Sequence, residues 1–165
     1  LAVRLDDGAP ALFKQTRIGR YGRPFRMYKF RSMHNDAEAA GPQLCRGRKD
    51  PRLTRVGRFL REHHLDELPQ LWNVLRGDMA FIGPRPERRF YIEQIVRQDQ
   101  RYPLLYQIRP GVTSYATLYN GYTDTPEKML RRLELDLYYL EHRSLFLDLK
   151  ILWLTFYRIV TGHKF

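Results

Sequence analysis

The sequence predicts an α+β domain, mostly helical, with a small antiparallel β-meander at its N-terminus and amphipathic helices suited to an interface. Three observations predict it. Short alternating segments are confined to residues 1–30, apolar residues recur at helical spacing from Val56 onward, and glycine or proline marks most of the junctions.

The 165 residues suit a single domain spanning 1–165 and can bury a core. Lys and Arg total 29 against 18 Asp and Glu, a net charge of +11, so the surface attracts anions. Nucleic acid, an anionic membrane face and phosphorylated small molecules all fit that charge. The 11 Tyr, 9 Phe and 2 Trp serve stacked bases or a membrane–water interface equally well, and composition does not choose between them. A single cysteine, Cys45, excludes an internal disulfide and a thiolate zinc cluster. No run of 18 apolar residues occurs, so no transmembrane helix is predicted in this chain. The chain starts at Leu1 rather than Met, inside what reads as a strand, which predicts a fragment of a longer protein whose N-terminal portion is absent.

Leu1 to Leu5 reads as the first strand of the meander, closed by the turn formers Asp7-Gly8 and Pro10. Ala11 to Arg17 is the second, and Phe25 to Phe30, alternating apolar and basic, is the third, with a glycine-punctuated turn from Ile18 to Pro24. Lys29, Arg31 and Ser32 close the meander and suit either a solvated face or a phosphate contact. A short helix is expected near Asp36–Ala40, then a loop through Gly41-Pro42 and Gly47. Val56 to His63 carries an apolar helical face with arginines opposite it, the habit of a helix lying on anionic headgroups or simply of a solvated basic face.

The centre of the chain is Leu65-Asp66-Glu67-Leu68-Pro69, followed by Leu71, Trp72 and Leu75. Leu68, Leu71, Trp72 and Leu75 share one helix face, and Gly77 suits the helix end. Pro69 is tolerated only in the first turn, so Asp66 or Leu65 is the expected cap, and a capping aspartate is expected to stay ionised. On this stretch alone, a capping Asp and a first-turn Glu are ordinary helix grammar and outweigh a chemical role. Helix starts also attract phosphate. Arg52, Arg55, Arg58 and Arg61 precede the acidic pair, and Arg76, Arg85, Arg88 and Arg89 follow it.

Met79 to Gly83 is a short apolar run, and prolines on both sides of Arg85 restrict its backbone. Glu87 to Arg101 reads as a polar helix with Phe90, Tyr91, Ile95 and Val96 inward, broken at Tyr102-Pro103. Arg109 precedes a Pro-Gly turn, so two proline-pinned arginines flank one acidic centre as a bidentate phosphate clamp would. Ser114 to Tyr122 suits a ligand-facing loop or a packed turn. Thr125-Pro126 starts a long helix, and Ser144 starts a last one reaching about Val160, too interrupted by charge to span a bilayer.

Phe13-Lys14-Gln15-Thr16-Arg17-Ile18-Gly19, Lys29-Phe30-Arg31-Ser32-Met33, Leu65-Asp66-Glu67-Leu68-Pro69-Gln70-Leu71-Trp72-Asn73, Gly77-Asp78-Met79, Gly83-Pro84-Arg85-Pro86 and Arg109-Pro110-Gly111 occur in this order. Over nearly the whole chain they resemble the bacterial sugar transferase family, the monotopic phosphoglycosyl transferases. The resemblance implies transfer of a sugar-1-phosphate from a UDP-sugar to polyprenyl (undecaprenyl) phosphate, with release of UMP, at the cytoplasmic face of the bacterial inner membrane. Such a reaction initiates capsule, O-antigen, exopolysaccharide or glycoprotein glycan assembly. It also implies Asp66 as nucleophile through a phosphoglycosyl-aspartate, Glu67 as its partner, and Mg²⁺ as cofactor held by Asp66 and Glu67. Arg61, Arg85 and Arg109, with Lys29 and Arg31, become the candidates for substrate phosphate.

The resemblance implies for the full protein an N-terminal hydrophobic helix that enters and leaves one leaflet, an element this chain is expected to lack. His64 stands where much of the family has Ser or Thr, so no role for a hydroxyl carries over, and the Ser114–Gly121 segment also departs from the family's pattern. Sugar or nucleotide preference is expected there. The adjacent His63 and His64 point apart on a helix and are not expected to bind metal. The partners implied are the UDP-sugar, the polyprenyl phosphate and the membrane surface, without nucleic acid, and with a homodimer left open. The competing reading is a basic nucleic-acid- or membrane-surface-binding module without catalysis. It has no need of Asp66.

Overall fold

The chain is described here from a computed structural model covering residues 2–44, 50–121 and 123–161. Gly47 and Tyr122, named above as ends of loops, lie outside the described residues. The architecture is α+β and predominantly helical, as the sequence predicts, with a two-stranded antiparallel sheet near the N-terminus.

The meander is reduced to a hairpin. Strand β1 (Leu12–Ile18) pairs with β2 (Pro24–Phe30) in the register Leu12↔Phe30 to Ile18↔Pro24. The segment expected as a first strand is instead helix α1 (Ala2–Asp7). It is tied down from its flank: Arg31 Nη2 donates to the carbonyls of Val3 (3.2 Å) and Ala9 (2.9 Å), and Asp6 Oδ2 accepts the Val56 N–H (3.1 Å). These bonds hold the chain beside the hairpin without strand pairing. The helix expected near Asp36–Ala40 is a series of turns.

Helix α2 (Arg55–Glu62) is capped by Thr54, whose hydroxyl accepts the Gly57 N–H at 2.9 Å. Gly57 lies against the backbone of Ser32, where any Cβ would overlap the Ser32 carbonyl. That close approach sets α2, and the Arg61 it carries, against the end of β2. His64 then adopts a left-handed conformation (φ 54), unusual for a non-glycine residue, and turns the chain into a 3₁₀ turn at Leu65–Glu67.

Helix α3 (Gln70–Leu75) therefore starts later than the sequence predicts, with Pro69 at its cap, and Asp66 is not its N-cap. Its apolar face is turned outward: Leu68, Leu71 and Trp72 are exposed and Leu75 is 80% exposed, whereas Gln70 and Asn73 are buried. Asn73 explains the inversion. Its Oδ1 accepts the Tyr28 N–H (3.1 Å), and its Nδ2 donates to the Arg26 carbonyl (2.8 Å) and to Asp78 Oδ2 (3.2 Å), so the free edge of β2 holds the polar side of α3.

The short run after α3 becomes β3 (Ala80–Ile82), which pairs in parallel with β4 (Gly111–Thr113), a pairing with no counterpart in the sequence reading. Gly83 and Gly111 permit it, since a Cβ on either would collide with the facing backbone. Between them run α4 (Arg89–Gln98) and a 3₁₀ segment at Tyr102–Gln107. On α4, Tyr91, Ile92 and Ile95 are buried and Val96 packs beside them, whereas Phe90 is exposed, contrary to expectation, on the opposite side of the turn. Ser114 caps a short helix, α5 (Tyr115–Asn120), in place of the expected loop. Helix α6 (Pro126–His142) starts at the Thr125 cap, and α7 (Leu145–Thr161) follows. No helix among the described residues is long and apolar enough to cross a membrane.

The main core joins Ile18 of β1 to Tyr91, Ile92 and Ile95 of α4, Tyr102 and Leu105 of the 3₁₀ segment, and Met129, Leu133 and Leu137 of α6. A smaller cluster of Leu118, Tyr139 and Ile151 seats α7. Asp136 is buried on α6, with its Oδ1 unpartnered among the described residues, and burial pushes its carboxyl up from 3.8 to about 7 despite the pull of Arg132. A raised folded-state pKa means stability is full below the unfolded value and falls as pH rises toward 7. Asp136→Asn is therefore expected to stabilise the protein at pH 8 by about 2 kcal/mol and to flatten its pH dependence. Thermal unfolding at pH 5 and pH 8 checks this, and an unchanged pH dependence contradicts it.

Candidate active site

Asp66 and Glu67 sit next to each other in the 3₁₀ turn, yet their surroundings differ. Glu67 Oε1 accepts from two cations, Lys29 Nζ of β2 at 2.7 Å and Arg85 Nη2 at 2.6 Å. Burial works to raise its carboxyl, but Arg85 and Lys29 override it and hold Glu67 well below the usual carboxylate range. The exchange is mutual: Glu67 raises the Arg85 guanidinium, while burial lowers the Lys29 ammonium.

Asp66 is only 5% exposed, and its ion pair among the described residues is with Arg61 Nε, at 4.0 Å. Burial pushes its carboxyl above the usual range, the Lys29 charge opposes the rise, and the Glu67 charge adds to it. The expectation that Asp66 is held ionised by helix-start N–H groups is thus corrected. It lies ahead of the helix, and its proton is retained to higher pH than an ordinary aspartate's.

Arg61 is itself oriented by Ser32, whose Oγ accepts from its Nε at 2.8 Å. The chain on both sides of Arg85 is fixed, because the Pro84 carbonyl accepts the Gly111 N–H (3.0 Å) and the Pro86 carbonyl accepts from Arg17 Nη1 (3.2 Å). A crevice lined by Ile18, Gly19, Pro84, Arg85, Tyr106 and Pro110 opens beside it, and neither carboxylate lines that crevice.

The structure brings Lys29, Arg61, Asp66, Glu67 and Arg85 together. No ion pair among the described residues joins Arg31 to either carboxylate; it is buried, and its Nη2 donates to the carbonyls of Val3 and Ala9. Arg109 is exposed on the chain leading into β4, and among the described residues no ion pair joins it to either carboxylate. Its main chain passes Gly83 closely, so it runs beside the Arg85 segment. Asn73 and Glu87 were given no role by sequence reasoning. Ser32, named there for a phosphate contact, instead accepts from Arg61.

Two carboxylates facing three cations leave the site net positive, suited to an anion of several charges. No group of three or more His, Cys, Asp or Glu that could hold a metal ion occurs among the described residues. Both cations bond Oε1 of Glu67, so Asp66 and the second Glu67 oxygen are the donors that remain. That set fits magnesium accompanied by phosphate oxygens, since Mg²⁺ commonly takes one or two carboxylates plus substrate phosphates.

Fold and site together define a basic α+β domain with a buried carboxylate flanked by cations. The chain belongs to the bacterial sugar transferase family, whose sequence profile matches residues 1–162. It is 41% identical over 160 residues to the UDP-N-acetylgalactosamine-undecaprenyl-phosphate N-acetylgalactosaminephosphotransferase of Aeromonas hydrophila, covering 97% of this chain and 38% of that protein. It is 42% identical over 163 residues to the UDP-glucose:undecaprenyl-phosphate glucose-1-phosphate transferase of Escherichia coli K12, covering 96% and 34%. The protein of the same description from Caulobacter vibrioides is 43% identical over 164 residues, covering 98% and 61%. The chain thus spans between 34% and 61% of the length of these three relatives.

Proposed function

We propose that this chain is the catalytic domain of an enzyme that transfers a sugar-1-phosphate from a UDP-sugar to undecaprenyl phosphate, releasing UMP. The observation that carries this reading is the unequal state of two adjacent carboxylates. Glu67 is neutralised by Lys29 and Arg85, while Asp66 keeps its lone pairs in a buried position with Arg61 at 4.0 Å. The first is an anchor and the second a nucleophile.

In the first step an ionised Asp66 oxygen attacks the sugar-linked phosphorus and the bond to the UMP oxygen breaks, forming a phosphoglycosyl-aspartate and free UMP. In the second an oxygen of undecaprenyl phosphate attacks the same phosphorus, and Asp66 leaves as a carboxylate. Two displacements let a water-soluble donor and a bilayer acceptor use one site in turn. Arg61, Arg85 and Lys29 stabilise charge on the transferred phosphoryl group, and Arg109 extends the reach to the donor's distal phosphate. Asp66 and Glu67 would hold a magnesium ion, whose charge would offset the repulsion between carboxylate and substrate.

The same reading places the domain on a membrane surface, at the cytoplasmic face. Leu71, Trp72 and Leu75 of α3 and Phe146, Trp153 and Phe156 of α7 are exposed apolar side chains on a protein of net charge +11, a combination that favours anionic interfaces. Trp72→Ser with Leu75→Ser is expected to lower partition onto vesicles containing anionic lipid by about tenfold, given the apolar area removed. Vesicle flotation reads it, and unchanged partition contradicts the orientation.

The function itself is tested with the full-length protein in detergent, Mg²⁺, undecaprenyl phosphate and a panel of UDP-sugars. UMP release with at least one donor is expected. Release with none overturns the proposal, and a non-catalytic basic module would behave that way.

A further inference from the structure

Two residues beyond Arg85 lies a carboxylate that takes no part in the steps above. Glu87 is 7% exposed and uses both oxygens. Oε1 accepts from Arg132 Nη2 of α6 at 2.7 Å, and Oε2 accepts from Arg17 Nη1 of β1 at 3.0 Å and from the Arg88 N–H at 3.2 Å. Its main-chain carbonyl accepts the Ile18 N–H at 2.9 Å, and the Arg17 guanidinium that pairs with it also bonds the Pro86 carbonyl. The chain immediately after Arg85 is therefore fixed to β1 and α6 at four acceptors, all on Pro86 and Glu87. On the other side, the Pro84 carbonyl is fixed to β4.

Stability alone does not account for such a cluster. A buried ion triad is often replaced by apolar side chains without loss, because the desolvation cost offsets the attraction. What the triad supplies that apolar packing does not is direction. It sets the main-chain position from which Arg85 reaches Glu67 Oε1 at 2.6 Å, and a misplacement of about 1 Å at such a group can cost about a hundredfold in rate.

We infer that Glu87, held between Arg17 and Arg132, is a positioning residue that sets the Arg85 guanidinium for the donor's phosphates. The inference rests on the proposed function, in which Arg85 contacts phosphate. Arg132 and Arg17 also keep Glu87 ionised, overriding the burial that would raise it, so the clamp is in place across the neutral range.

A mutant cycle in the full-length protein tests it. Glu87→Gln is expected to lower kcat/KM for the UDP-sugar by about ten- to a hundredfold, and by no more than about threefold in an Arg85→Lys background, where a flexible ammonium no longer needs the aim. A purely structural role predicts the same loss in both backgrounds, and that result overturns the inference, as does no loss in either. Should Glu87→Gln fail to fold, the charge-balanced pair Glu87→Gln with Arg132→Gln carries the same cycle. Unfolding of that pair as well would show that the cluster supports the fold rather than the arginine, and would overturn the inference. Wild-type protein without UMP release would instead remove the function proposed above, so the two failures are distinct.

Discussion

Asp66→Asn is expected to lower UMP release by at least about a thousandfold while leaving the fold intact, the scale at which removal of a nucleophile acts. The exchange keeps shape and removes the attacking lone pair on a charged oxygen. Its effect on stability has a sign fixed by the site. Burial raises the Asp66 carboxyl in the folded state, so the ionised aspartate is a destabilising presence at neutral pH, and the penalty vanishes below the unfolded value of 3.8. The asparagine protein is therefore expected to unfold at the same temperature as wild type or higher at pH 7.5, and to match it at acid pH. Circular dichroism melts check the stability, and UMP release checks the activity. A variant that retains a tenth or more of the wild-type rate would remove Asp66 from the chemistry.

Glu67→Gln, one residue away and equally isosteric, is expected to act in the opposite direction on stability. Glu67 is depressed in the folded state, so the stability it contributes is present above the unfolded value of 4.5 and is lost as pH falls through its folded value. The glutamine deprives Lys29 and Arg85 of the carboxylate that both bond in a largely buried place, at a cost of about 3 kcal/mol, toward the lower end for a broken pair because Arg85 is 35% exposed and the Asp66 charge remains nearby. Activity is expected to fall by about a hundredfold as the two cations lose their shared anchor. Urea unfolding of both variants at pH 7.5 reads the contrast. Equal stability effects from the two would mean that the carboxylates share one environment, against the geometry seen here.

The acidic pair, the flanking arginines and the long helices were legible because they are local. Proline at 69, 84 and 86, the Thr125-Pro126 cap and apolar spacing state their own meaning. What escaped depends on contacts far apart in sequence. Leu71, Trp72 and Leu75 mark a helix face correctly, but periodicity does not say whether that face meets a core or an interface, and Asn73 decides it through β2, 45 residues earlier. Leu1–Leu5 resembles a strand as a pattern, yet a strand needs an edge, and Arg31 and Val56 hold Ala2–Asp7 as a helix instead. Arg31 itself, a phosphate candidate through the family resemblance, directs its Nη2 to backbone carbonyls that no spacing rule reveals. The parallel pairing of β3 with β4 was equally hidden, since three-residue strands carry almost no period.

Double displacement requires that Asp66 become covalently attached to the sugar phosphate. Intact-mass measurement of the full-length protein after exposure to its UDP-sugar and Mg²⁺, without undecaprenyl phosphate, tests it most directly. The expected result is a mass gain equal to one phosphosugar, abolished in Asp66→Asn and discharged on addition of undecaprenyl phosphate. An adduct that persists in Asp66→Asn, or turnover by a wild-type protein that never gains the mass, would contradict it.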